Sequence, residues 1–295
     1  MQESSKNLIV GISLAILASI SFALMSASVK IIGSDVSVPI LIFFRFIFSF
    51  FTILPLVLLS KKFQFKVNKP FHYAVRILTA LAALALTFKA LTLAPLTSVL
   101  LLGSTAPLFI PLISFIFLRT KTHLSVWISI AIGFIGVAIV LNPSINIFSN
   151  IGSLLALGAG FLAAIAFLEV RILSKTDSSL QILFYYYAVG SLISGIVCLF
   201  YWQWPSSHEQ LLLLVAVGLF GTIYQVAVTV AIAKAPARIV TPLAFLSVIW
   251  AGVIDKFMWN INPSLNVMIG FFVILIGIIM VLYFGYKHII NQDNK

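Results

Sequence analysis

Residues 11–30 read GISLAILASISFALMSASVK, and residues 152–171 read GSLLALGAGFLAAIAFLEVR. Each is an apolar run that ends on a cation. Laid one over the other, they match at a constant offset of 141: Gly11 meets Gly152, Leu14 meets Leu155, Ala15 meets Ala156, and Lys30 meets Arg171. The offset persists downstream. Ala94-Pro95 meets Ala235-Pro236, and Gly136, Val140 and Leu141 meet Gly277, Val281 and Leu282. A chain that repeats itself at one fixed spacing is a duplication, and its architecture must be read as two copies of one unit.

Composition fixes the solvent of that unit. Of 295 residues, 62% are hydrophobic and 8% are charged, and the mean hydropathy is +1.18. A soluble domain carries roughly 25% charged residues, so these charges are too few to cover a water-facing surface. The chain reads as an all-α polytopic membrane protein. Apolar runs predict ten spans, at 7–29, 38–59, 73–93, 95–118, 124–141, 151–173, 180–202, 211–233, 236–257 and 264–285. The apolar N-terminal run is longer than a signal-peptide core and has a counterpart in mid-chain, so it reads as a retained helix. The spans divide into two five-helix repeats, 1–146 and 147–295. Five is odd, so the second repeat enters the membrane from the opposite side. Such inverted repeats characterise secondary transporters, whose substrate site lies near mid-membrane between the halves.

Charge gives the orientation. With the N-terminus in the cytoplasm, fourteen lysines and arginines fall on the inner side, Lys61, Lys62, Lys66, Lys69 and Arg76 among them, against Lys30, Lys89 and Lys256 outside. This is the positive-inside pattern, and it places both termini in the cytoplasm. Trp202, Trp204 and Trp259 fall at the outer interface and Trp127 at the inner one, as an aromatic belt requires. The formal charge of +11 therefore reflects topology and membrane lipids, with no nucleic-acid partner. Small residues recur every fourth position at Gly11, Ala15, Ser19, Ala23 and Ala27, and again at Gly152, Ala156, Gly160 and Ala164. Such ridges let helix backbones approach closely in lipid.

Several further stretches carry a resemblance. They are Phe43-Phe44-Arg45-Phe46, LAPLTSVLL at 93–101, GFIGVAIVL at 133–141, KAPARIVTPL at 234–243 and LIGIIMVL at 275–282. With the ten-span duplication, they resemble the drug/metabolite transporter superfamily, EamA type. The resemblance implies transport of small metabolites without ATP hydrolysis. Members often carry a glutamate just after the fourth and ninth spans; this chain has Thr120 and Asn260-Ile261 there. The chain also has no G-x-x-x-x-G-K-[ST] phosphate loop.

Charges inside spans are the candidate functional groups. Arg45 lies about 10 Å into the second span at a rise of ~1.5 Å per residue. An arginine at mid-span costs ~2.5–3.5 kcal/mol on insertion scales, and it grips a carboxylate or phosphate through two parallel hydrogen bonds. It reads either as a lipid-phosphate anchor or as a substrate ligand, with Asp255 the only acid expected near its depth. Lys89 is a second cation that either joins Arg45 or snorkels to the surface. Glu169 is the acid well inside a span. It reads as a coupling or gating group or as a structural ion pair, with Arg119 and Arg238 as candidate partners.

Tyr186 stands at the position equivalent to Arg45 in the second repeat. Tyr224, Gln225 and Trp250 are mid-span groups suited to lining a cavity. Pro107 and Pro111, and Pro242 in the other repeat, bend their spans and free backbone carbonyls. Pro95 and Pro236 start helices, where a missing N–H costs nothing.

Enzymatic chemistry is not expected. His72, His123, His208 and His288 fall at span ends or in loops, without H-E-x-x-H spacing. Cys198 has no second cysteine to pair with. No cofactor is implied. The expected function is a secondary transporter of a small amino-acid-like metabolite, zwitterionic or anionic, working by alternating access. An exchanger of S-adenosylmethionine or a nucleotide-like solute is the alternative, and a non-transporting helical scaffold the remaining class.

Overall fold

A computed structural model describes residues 2–33, 35–60, 63, 65–118, 124–141, 151–234 and 243–293. Among them run eleven helices: α1 (Gln2–Ile32), α2 (Val38–Leu59), α3 (Pro70–Leu91), α4 (Leu96–Gly103), α5 (Ala106–Leu118), α6 (Leu124–Leu141), α7 (Ile151–Leu173), α8 (Ser179–Leu199), α9 (His208–Lys234), α10 (Leu246–Trp259) and α11 (Leu265–Asp293). No strand occurs among the described residues. Local chemistry sets the ends. Prolines occupy the first turns of α2 and α3, where no intrahelical N–H bond is lost. The Ser178 side chain accepts from Gln181 N at the start of α8. Asn260 ends α10 in the left-handed conformation at φ 53°, which asparagine tolerates better than most residues.

Eight segments are long and apolar enough to cross a membrane, from Ile9–Ile32 to His208–Lys234, with the fourth running from Leu96 to Ile116. α10 and the apolar Leu265–Val281 part of α11 occupy the ninth and tenth expected positions. The fourth span, expected to be continuous, is broken at Ser104–Thr105 between α4 and α5. Pro107 is the cause. It has no N–H to bond the carbonyl four residues back, and its ring fits the first turn of a helix. At the break Leu102 O accepts from both the backbone N and the hydroxyl of Thr105, at 3.2 and 2.5 Å. Pro242, Pro236, Arg119, Thr120 and Arg238 lie outside the described residues.

Packing follows the duplication. The most extensive contacts are α1 with α9, α3 with α7, α6 with α11, and α2 with α8. Exchanging the repeats turns the first contact into the second and each of the last two into itself. The small-residue ridges are buried: Ala15, Ser19, Ala23 and Ala27 on α1, and Ala156, Gly160 and Ala164 on α7, where Gly160 backs onto the α4–α5 break. Between α6 and α11 the backbones touch. A Cβ on Gly277 would stand 2.6 Å from Gly133 Cα, and one on Gly136 would stand 2.7 Å from Ile274 N. Residues 133 and 274 are also 141 apart, so this is one contact made twice by the internal two-fold.

Candidate functional site

The seams leave a cavity between the repeats. It is lined by α1 (Ala15, Ser19, Phe22), α2 (Arg45), α3 (Arg76, Ala80, Ala83, Thr87), the α4–α5 break (Gly103, Ser104, Pro107), α7 (Ala159, Phe167), α8 (Tyr186), α9 (Tyr224, Gln225) and α10 (Ser247). Alanines and serines set the room, because short side chains on facing helices leave space that leucine would fill. The broken fourth span presents its two interrupted ends to the same space.

Arg45 is 1% exposed. Its position follows from Gly221 on α9, where a Cβ would stand 2.9 Å from Arg45 Nε. Among the described residues its guanidinium makes one long hydrogen bond, Nη2 to Gly221 O at 3.5 Å, and Nε and Nη1 have no partner. Beneath it a polar seam joins α2 to α9. Ser49 Oγ donates to Arg45 O at 2.7 Å and stands 2.7 Å from Thr222 Oγ1, which donates to Gly218 O.

Arg76 is the group that sequence reading misplaced. It was counted among the inner-side loop cations; the structure buries it, 3% exposed, in the cavity wall. The error lies in the helix start. The span was expected to begin at 73, but α3 begins at Pro70, which carries position 76 nearly two turns inward. The proline was the signal. Arg76 Cζ lies 4.5 Å from the centre of the Tyr186 ring. Tyr186 is the internal counterpart of Arg45, so the equivalent place in the second repeat is a ring that receives the other arginine. Arg45 and Arg76 bring two like charges to one cavity. Among the described residues no carboxylate lines the cavity, and neither guanidinium has an acidic partner within 4 Å. Phe22 and Tyr224 add an aromatic wall, their ring centres 4.7 Å apart.

Of the expected residues, the cavity brings together Arg45, Tyr186, Tyr224, Gln225 and Pro107. Lys89, Trp250 and Pro111 are not in its lining. Lys89 is exposed near the end of α3, and Trp250 is exposed on the outside of α10. Helical phase explains both, since each is apolar-facing on a helix whose other side meets the cavity.

Two polar ties stand beyond the cavity, one toward each membrane face. At the face where α1 ends, Lys30 Nζ meets Asp255 Oδ1 at 3.2 Å and lies over the Trp259 ring at 4.7 Å. Asp255 also accepts from Leu96 N at 3.2 Å, Thr97 N at 2.7 Å and Thr97 Oγ1 at 2.8 Å. It therefore closes the N-terminus of α4 and is not a partner for Arg45. At the opposite face, Glu169 Oε2 lies 2.6 Å from His72 Nδ1. His72 was the partner not considered. Around that pair the chain between α2 and α3 is tied to α7 and α8: Asn68 to Asp177 at 2.8 Å, Gln181 to Lys66 O at 2.6 Å, and Tyr185 to Phe65 O at 2.6 Å.

The profile of the EamA-like transporter family matches residues 9–142 and again 150–283. The chain belongs to that family. As an EamA-like transporter it moves small metabolites across a membrane that it crosses many times. It is 27% identical over 287 residues to a protein named S-adenosylmethionine uptake transporter from Rickettsia prowazekii (strain Madrid E), with 96% of each chain covered. It is 30% identical over 232 residues to a riboflavin transporter from Vibrio cholerae serotype O1 (strain ATCC 39315 / El Tor Inaba N16961), covering 78% of this chain and 74% of the other. A solved crystal structure aligns with a TM-score of 0.66 at 17% identity, over 94% of this chain and 97% of the other, which shows the shared fold. This transporter's two matches meet in the segment where the internal repeat turns over.

Proposed function

We propose that this transporter carries a small metabolite bearing a carboxylate, which Arg45 grips between the repeats while the halves 1–146 and 147–295 rock to open the cavity toward each membrane face in turn. One observation carries the reading: a buried guanidinium with two nitrogens unpaired among the described residues lines a cavity whose described lining includes no acid. A buried charge without a partner is costly, and removing it from water is offset only by a close, well-oriented counter-charge. Cargo that supplies a carboxylate makes charge-assisted, bidentate bonds there. Phe22 and Tyr224 then receive the apolar or flat part of the same molecule. The ties at Lys30–Asp255 and His72–Glu169 act as gates at the two faces, and Pro107 leaves the fourth span free to bend between them.

S-adenosylmethionine is the specific second reading. It is favoured by the name of the Rickettsia relative, and it joins a carboxylate to a flat base. Orientation in the bacterial plasma membrane follows the cations. Removing Arg76 from the inner-side count leaves a large excess there, so both termini face the cytoplasm.

Proteoliposomes test the reading. Loaded with S-adenosylmethionine or with amino acids, they exchange the labelled counterpart faster than empty vesicles. The Arg45→Ala variant, expressed and folded, exchanges at the background rate. Wild-type protein that exchanges no carboxylate-bearing solute overturns the assignment, and unchanged exchange by the variant removes Arg45 from it.

A further inference from the structure

The cavity holds one more positive charge than a single carboxylate can answer. Arg76 is 3% exposed, its Nε is unpaired among the described residues, and its Cζ lies 4.5 Å from the centre of the Tyr186 ring. A ring face offsets only part of the cost of desolvating a guanidinium. Arginine keeps its proton, so it cannot escape burial by becoming neutral. Arg45 lines the same cavity with the same charge, and the described lining residues offer no acid to either.

Among the described residues, the four with carboxylates nearest the membrane interior are otherwise engaged. Asp255 serves Lys30 and α4, Glu169 serves His72, and Asp177 serves Asn68; Asp35 lies beyond the ends of α1 and α2.

We propose that Arg76 forms a second anion subsite beside Arg45, so that the loaded cavity holds two negative charges. This rests on the reading of Arg45 as the anchor of a cargo carboxylate. The second charge has two sources of the same chemistry. Either the cargo is itself dianionic, a dicarboxylate or a phosphate monoester, or a small inorganic anion travels with a cargo that has one carboxylate. In both cases Tyr186 is a positioning residue. Its ring holds the guanidinium in place without spending any of its N–H donors, which leaves them for the anion.

Equilibrium dialysis of the purified full-length protein against radiolabelled chloride and against radiolabelled inorganic phosphate tests the subsite directly. The wild type is expected to retain one of the two saturably. Arg76→Gln weakens that retention at least tenfold, Arg76→Lys restores part of it because the charge returns, and the exposed Arg171→Gln leaves it unchanged. Saturable retention lost in Arg76→Gln supports the proposal even if no cargo has yet been transported. Its failure is thus distinct from failure of the carboxylate reading. No saturable retention by the wild type, or equal retention by Arg76→Gln, overturns it.

Proteoliposome uptake then separates the sources. If uptake of a monocarboxylate requires chloride or phosphate in the medium, the second charge is inorganic. If it does not, and dicarboxylates or phosphate monoesters outcompete monocarboxylates in the wild type but not in Arg76→Gln, the second charge belongs to the cargo. An Arg76→Gln protein that behaves like the wild type in both comparisons overturns the subsite.

Discussion

Gly221 shows how much the site owes to one missing methyl group. Its absent side chain makes the space for Arg45, since a Cβ there would stand 2.9 Å from Nε and 3.1 Å from Met25 Sδ. Met25 is fully buried and has nowhere to retreat, so the guanidinium must move instead. Gly221→Ala is expected to lower the affinity for cargo about tenfold, the equivalent of ~1.4 kcal/mol of lost charge-assisted hydrogen bonding, with the expression level unchanged. Ligand titration of the purified variant checks it; unchanged affinity means that Arg45 does not sit on the cargo.

At this scale the sequence was readable where polarity contrasted with its surroundings. Arg45, Tyr224 and Gln225 are polar groups deep inside apolar runs and depth marks them, while Tyr186 is marked by its repeat equivalence to Arg45. Arg76 escaped because its depth depended on where α3 starts, and a helix start shifted by three residues moves a side chain from interface to interior. Lys89, left open between cavity and surface, and Trp250, expected in the cavity wall, fall outside the lining for another reason. Depth does not reveal which side of a helix a residue occupies when all sides are apolar.

At the scale of the element, the break in the fourth span carries a mechanical prediction. Pro107 keeps α4 and α5 from joining, and Gly160 on α7 gives the break its room, since a Cβ there would stand 2.8 Å from both Leu102 O and Thr105 Oγ1. Pro107→Ala restores an N–H that can bond Gly103 O and is expected to make the span continuous. The protein should fold, with thermal stability equal or higher, while the rate of cargo exchange falls severalfold. Gly160→Ala acts in the opposite sense, overpacking the break at a cost of about 1–3 kcal/mol, read as a lower melting temperature in detergent. If exchange by Pro107→Ala matches the wild type, the break is a packing detail and not a hinge. The prolines were visible in the sequence as bends; that one of them interrupts its helix outright depends on the small residue opposite, which no single-span reading contains.

Across the whole molecule, the two-fold is imperfect, and the imperfections are where the halves are held. Lys30 and Arg171 are repeat partners, yet Lys30 is paired with Asp255 while Arg171 is exposed. Asp255 thereby ties α1 and α4 of one repeat to α10 of the other. Its side chain is 1% exposed, so Asp255→Ala leaves a half-buried cation without its counter-charge and two N–H groups unanswered. The expected cost is ~3–5 kcal/mol, with part of it recovered when Lys30→Met is added. Thermal unfolding of the two single variants and the double variant measures the coupling, and strict additivity contradicts the tie. The duplication itself was legible because a fixed offset survives even in a sequence built from few residue types. The ties were not, because they join residues 225 and 97 positions apart through contacts that follow no period.

The central claim is that a water-filled cavity between the two repeats opens to both faces of the membrane. A single cysteine at Ser104, in a background with Cys198 replaced by alanine, tests it most directly, because Ser104 lines the cavity beside the broken span and serine and cysteine differ little in size. Reconstituted in vesicles, this thiol should react with a membrane-impermeant reagent from either side, and added cargo should protect it. A thiol that reacts from neither side, or that cargo never protects, contradicts the account.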